Sequence, residues 1–256
     1  MMPRLGLIVT TIFALPLIQP ASITQLRSTA RGVKPLPGRS TPAVYSFSVS
    51  AAALEPPPVD LNLLIDGLQR KYSRMIGIAA DFAQTYQGPD GRVLKESGHV
   101  LLKRPRKARW DYSTPERKLF ISDGRDIYFY VYGDKEATRA AIKESVDPQI
   151  PFLFLLGQGN LRRDFARIEV ATETPVAAGD IVIKLVPKRA PEDFRDLLAE
   201  VNPNSFEVRR LVIFGRNGSR MDFILSNVRE NYVAPDAEFT FTPPPGVIVR
   251  KSRSDS

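Results

Sequence analysis

Apolar side chains recur at three- and four-residue spacing at Leu61, Leu64, Ile65, Leu68, Tyr72, Met75 and Ile76. That spacing puts them on one face of a helix, so an amphipathic helix about four turns long is predicted after the Pro56-Pro57-Pro58 stop. After Gly77 the period falls to two, the repeat of a strand. Turn chemistry then returns at Gly88-Pro89-Asp90-Gly91, Ser122-Asp123-Gly124 and Arg216-Asn217-Gly218. Asp-Gly and Asn-Gly supply the positive φ that tight hairpins need, so one helix followed by an antiparallel meander is expected.

Several strands are apolar on both sides. Residues 127–132 read Ile-Tyr-Phe-Tyr-Val-Tyr, residues 181–186 carry Lys184 as their one charge, and residues 206–214 continue the pattern. A sheet with one wet face alternates apolar with polar, so both faces of these strands are expected to be covered. One cover would be a helix and the other the interior of a curved sheet, as in a barrel or half-barrel. A plain packed core has the same periodicity.

Composition changes this picture mainly at the start of the chain. The formal charge of +8 invites a nucleic-acid partner. Residues 1–53, however, hold Arg4, Arg27, Arg31, Lys34 and Arg39 and no acid, and without them the totals of 36 Lys and Arg and 28 Asp and Glu leave an excess of three. Nucleic acid is therefore not an expected partner. Arg4 followed by an apolar run over residues 5–18 has the form of an export signal, and is shorter than the ~20 residues of a membrane span. Residues 1–22 are read as that signal, with cleavage as late as residue 53 also open. Residues 23–58, rich in Arg, Ser, Pro and Gly, are expected to be disordered or removed. Residues 59–250 then form one domain, ahead of a flexible tail at 251–256. With no Cys, the core must hold without disulfides in an oxidising compartment.

Chemistry for catalysis is sparse. His99 is the single histidine, which excludes a multi-histidine zinc site, and there is neither a Cys nucleophile nor a phosphate-cradling Gly loop. No enzyme activity, metal or cofactor is implied.

An ordered set of short motifs carries more information. Phe82-Ala83-Gln84 follows the helix, and Gly98-His99-Val100-Leu101-Leu102-Lys103-Arg104-Pro105 runs to the aromatic Trp110. Ser122-Asp123-Gly124 precedes Tyr128, Phe129 and Tyr130, Pro151-Phe152-Leu153-Phe154-Leu155-Leu156 is strongly apolar, and Phe239-Thr240-Phe241-Thr242-Pro243-Pro244 closes the series. In order and spacing, residues 61–249 resemble the LolA family of periplasmic lipoprotein carriers. The resemblance implies a mainly β fold with helices (α+β), an incomplete antiparallel β-barrel covered by a helical lid. Acyl chains of lipoproteins would enter between the two. It further implies a periplasmic monomer that receives acylated lipoproteins from an ABC-type lipoprotein-releasing complex of the inner membrane and passes them to an outer-membrane acceptor or the membrane itself. A carrier or sensor of free lipid or glycolipid on the same half-barrel is the alternative.

By the same resemblance Arg104 is a lid latch whose guanidinium would reach backbone carbonyls near Leu155 and Leu156. Leu68, Tyr72, Ala108, Trp110, Phe152 and Leu153 are the candidate cavity or lid residues. Ala108 stands where relatives often carry a bulky apolar side chain.

Overall fold

The computed structural model describes residues 60–142, 159–189 and 194–252. The expected export signal, the segment 23–58 and the expected lid residues Phe152, Leu153, Leu155 and Leu156 lie outside the described residues.

Helix α1 (Leu61–Arg74) starts where the sequence places it. Asp60 caps it, its carboxylate accepting from the backbone N–H of Asn62 at 2.9 Å and of Leu63 at 3.1 Å. Lys71 and Arg74 lie in the last turn, where the helix dipole favours cations. The buried stripe is Leu64, Ile65, Leu68 and Tyr72. Met75 follows as an extended residue and is buried, whereas Ile76 is exposed.

Six strands follow as a meander: β1 (Gly77–Gln87), β2 (Val93–Lys103), β3 (Lys107–Thr114), β4 (Lys118–Asp123), β5 (Asp126–Val131) and β6 (Glu136–Ala141). A single turn, α2 (Leu161–Asp164), opens a second meander of β7 (Phe165–Val170), β8 (Ile181–Pro187), β9 (Phe194–Val201), β10 (Val208–Gly215) and β11 (Arg220–Glu230). A 3-10 turn (Asp236–Phe239) and β12 (Ile248–Lys251) complete the elements of the described residues. The predicted turns at 88–91, 122–124 and 216–218 join β1 to β2, β4 to β5 and β10 to β11. Phe206 is not in a strand: it sits at φ 56° in the turn before β10, and its ring lies against Gly67 of α1.

All twelve strands form one sheet, in the order β12-β6-β5-β4-β3-β2-β1-β11-β10-β9-β8-β7. The two meanders meet at the antiparallel β1–β11 pair. The expected incomplete antiparallel barrel needs one correction. The sheet is open, ending at β12 and β7, as an incomplete barrel is, but β12 pairs with β6 in parallel. A terminal segment returning along an edge can pair in either sense, and no periodicity signals which.

One core holds α1 together with Trp110 of β3 and Ile183 and Leu185 of β8. Laid flat, the six spacings from β3 to β8 would span about 29 Å, far more than one helix of ~10–12 Å diameter can touch. The sheet therefore curls around α1, and the face turned to the helix is the inner face.

Strands β8 and β10 are covered on both sides, by α1 and its core within and by irregular chain outside, whereas β5 is covered outside and its inner-face Ile127 and Phe129 stay half-buried. Leu119, Ile121, Tyr130 and Ala137 pack with Phe241 and Val247 of the C-terminal segment, and Phe241 stacks on Tyr128 at 5.3 Å between centroids. On the opposite wing Val182, Leu198 and Val212 form a second outer cluster with Ala171. The β7–β8 connection there is pinned by buried Glu200, which accepts from the N–H of Val176 at 2.9 Å and of Ala177 at 2.8 Å.

Candidate functional site

Strand register sorts the inner face into rows. Ile78, Leu102, Ala108, Ser122 and Ile127 lie side by side across β1 to β5. The next row is Ala80, Val100, Trp110, Phe120 and Phe129, and the third is Phe82, Gly98, Tyr112, Lys118 and Val131. Gly98 has no side chain to separate its neighbours, so Phe82 meets Tyr112 edge to face at 5.0 Å. Phe82 also meets Trp110 at 4.8 Å, and Trp110 lies 5.7 Å from Phe223. These rings make an aromatic floor.

Leu68, Tyr72, Ala108 and Trp110 come together in the core beneath α1. Leu68 reaches it from the helix, and the Tyr72 hydroxyl accepts from the Val208 N–H at 2.9 Å. Arg104 stands at the rim. Its Nη2 donates to the last-turn carbonyls of Tyr72 at 2.8 Å and Ser73 at 2.7 Å, the former also accepting from the Met75 N–H at 3.3 Å. Its Nε is buried with no hydrogen-bond partner among the described residues. His99 is on the outer face of β2, exposed and paired with Asp81.

Sequence reasoning missed the polar end of this face. Gln84, Glu96 and Lys118 are 1%, 4% and 4% exposed, deeper than many of the apolar residues around them. The Tyr112 hydroxyl donates to Gln84 Oε1 at 3.2 Å, Gln84 Nε2 donates to Glu96 Oε2 at 3.1 Å, and Lys118 Nζ pairs with Glu96 Oε1. Lys118 Nζ also sits 4.7 Å from the centre of the Tyr112 ring. A signal was there: Glu96 is in phase with Val100 and Leu102, and Lys118 with Phe120.

Burial pushes the hydroxyls of Tyr72 and Tyr112 above the usual phenol range, with the Glu96 charge adding to the shift at Tyr112. Unfolded tyrosines ionise near pH ~10, while these two stay protonated in the folded protein. Stability is thus complete below that pH and lost above it, by ~1.4 kcal/mol per pH unit for each tyrosine. Urea unfolding at rising pH should show this decline, and Tyr112→Phe should remove about half of the part due to these two groups. An unchanged slope in that variant would refute the assignment.

A sheet curled around one helix over an aromatic floor defines an α+β open half-barrel with an apolar inner face. Residues 73–242 match the family described as outer membrane lipoprotein carrier protein LolA, and the chain belongs to that family. It is 30% identical over 188 residues to the outer-membrane lipoprotein carrier protein of Bordetella avium, covering 73% of this chain and 86% of the relative. The protein of the same description from Pectobacterium atrosepticum is 28% identical over 187 residues, covering 73% and 87%. Among solved structures, a LolA superfamily protein from Nitrosomonas europaea is 13% identical with a TM-score of 0.39, covering 72% of this chain and 99% of that one. A conserved protein from Thermus thermophilus is 10% identical with a TM-score of 0.47, covering 75% and 98%.

Proposed function

We propose that the protein is a periplasmic carrier that takes lipoproteins released at the inner membrane to the outer membrane, with their acyl chains held against the inner face of the half-barrel. The observation that carries this reading is the continuation of the apolar rows beyond the core around α1. Ala108, Trp110, Phe120, Ile127 and Phe129 share one face over three strands, the last three half-buried. Family membership and the printed names of the relatives support it. Residues 1–22 would direct export, and an ATP-driven releasing complex would supply the cargo and the energy.

Arg104 is the proposed latch. Its two bonds hold the end of α1, whose Leu68 and Tyr72 fill part of the same face. Hydrogen bonds from a charged donor contribute ~1.5–3 kcal/mol each. Three acyl chains exposed to water cost on the order of 30 kcal/mol, at ~0.8 kcal/mol per CH2. Cargo therefore has ample free energy to displace the helix end, and the latch sets how readily it does so.

The test is native mass spectrometry after incubation with spheroplasts releasing new lipoproteins, alongside Arg104→Leu. A one-to-one complex with triacylated lipoprotein is expected, and the variant should fold but transfer cargo poorly to outer membranes. Wild-type transfer by the variant would remove the latch. Recovery of free phospholipid or glycolipid would make the protein a lipid carrier, and an empty protein that ignores apolar probes would make the interior a packed core.

A further inference from the structure

One corner of the molecule is both basic and apolar. The contacts that define it link four segments. The Arg104 N–H donates to the Ile76 carbonyl at 3.1 Å, and the Ile76 N–H donates to Asn231 Oδ1 at 3.3 Å. Ser122 Oγ donates to the Arg106 carbonyl at 2.7 Å, and Lys103 Nζ donates to the Ala234 carbonyl at 2.8 Å. The end of α1, the β2–β3 turn, the β4–β5 turn and the chain after β11 are therefore neighbours.

The acids of this corner are already engaged. Asp123 accepts from the N–H groups of Arg125 at 2.8 Å and Asp126 at 2.7 Å, Glu230 pairs with Lys71, and Asp236 pairs with Lys103 and Lys107. Arg74 and Arg125 are exposed and have no carboxylate partner among the described residues. Arg229, also exposed, lies over the Tyr232 ring at 4.4 Å, and the hydrogen bond from Asn227 together with the Arg229 charge helps hold the Asp81 carboxyl below its usual range. Ile76 and Val233 stand in the same corner at 49% and 59% exposure. The far ends of the first meander differ: its three turns there each hold one acid and one base, Asp90 with Arg92, Glu116 with Arg117, and Asp134 with Lys135, while the neighbouring β10–β11 turn holds Arg216.

We propose that this corner docks the protein on an anionic bilayer surface. Exposed arginines are attracted to acidic headgroups, and apolar side chains between them can enter the interface beneath. The Ile76 N–H and carbonyl and the Arg104 N–H are already bonded, so Ile76 offers no strand edge to a peptide. No described helix is long and apolar enough to cross a membrane, so the contact is with the surface. Docking of this kind needs no cargo.

The experiment is co-sedimentation of the cargo-free protein, purified as the cell processes it, with vesicles of phosphatidylethanolamine and phosphatidylglycerol, and with phosphatidylcholine alone. Binding is expected on the anionic vesicles, weakening as salt is raised. Each arginine is worth about fivefold in affinity, so R74E/R125E/R229E should lose about a hundredfold or more. Ile76→Ser with Val233→Ser should also weaken binding without moving the unfolding midpoint, and R92E/R117E at the far end should leave it unchanged. Equal binding by the triple variant and the wild type, equal binding to both vesicle types, or capture by an acidic protein with no vesicle binding would overturn the proposal. The carrier reading is tested separately by cargo loading, which the corner variants should retain.

Discussion

Replacing Lys118 with methionine is expected to destabilise the protein by about 3–5 kcal/mol, the usual loss when one member of a buried ion pair is removed. Glu96 would then remain at 4% exposure with its charge unmatched, and of its bonds described here only that from Gln84 would survive. Glu96→Gln added to Lys118→Met should recover most of the loss, because a neutral amide has no charge to desolvate and still bonds to Gln84. Urea midpoints of the wild type, both single variants and the double variant measure the coupling. Equal midpoints for Lys118→Met and the double variant would show that the pair is not the source of the effect. Trp110, the single tryptophan, lies in the neighbouring row and supplies the fluorescence signal.

Gly98→Ala should be as damaging for a different reason. A Cβ at this position would lie 1.9 Å from the Asp111 carbonyl oxygen, 2.8 Å from its carbon and 2.9 Å from the Tyr112 Cα. All three are backbone atoms of β3, so no rotamer change relieves the clash. The β2–β3 ladder must open, and the Phe82–Tyr112 contact across Gly98 goes with it. A cost above the ~1–3 kcal/mol typical of overpacking is expected. Gly67→Ala is the control: its close atoms all belong to the Phe206 ring, a side chain on a turn that can move. Soluble yield, near-ultraviolet circular dichroism and the urea midpoint report the result, and a Gly98→Ala protein with wild-type values would disprove the close-approach argument.

Much of this architecture is written in short-range pattern. Leu64, Ile65, Leu68 and Tyr72 announce α1 because a helix buries every third or fourth residue, and the Asp-Gly and Asn-Gly turns announce hairpins because φ is set locally. Doubly apolar β8 and β10 have covers on both faces, while β5 has one on its outer face and leaves Ile127 and Phe129 half-buried within. What those covers are depends on contacts between distant segments, and neither Phe241 on Tyr128 nor Ala171 beside Val182 has a periodic signature. The parallel β6–β12 pair was hidden for the same reason. Leu68, Tyr72, Ala108 and Trp110, singled out by pattern and resemblance, share one buried core. The buried Glu96–Lys118 pair left only a faint trace, two charges in phase with the apolar inner face, because their strands are joined only through contacts that the pattern does not give.

The strand order also sets a timetable for synthesis. β1 has β2 at hand as soon as the first hairpin is made, but its other neighbour, β11, is among the last segments to emerge, and β6 waits longer still for β12. Pairings so distant in sequence carry a high loop-closure cost and form slowly. A chain still being made therefore presents the first meander with two bare edges, each a template for pairing with other chains. Only when residues 248–251 are available does β6 gain its neighbour, so premature termination would leave an aggregation-prone fragment rather than a smaller version of the half-barrel.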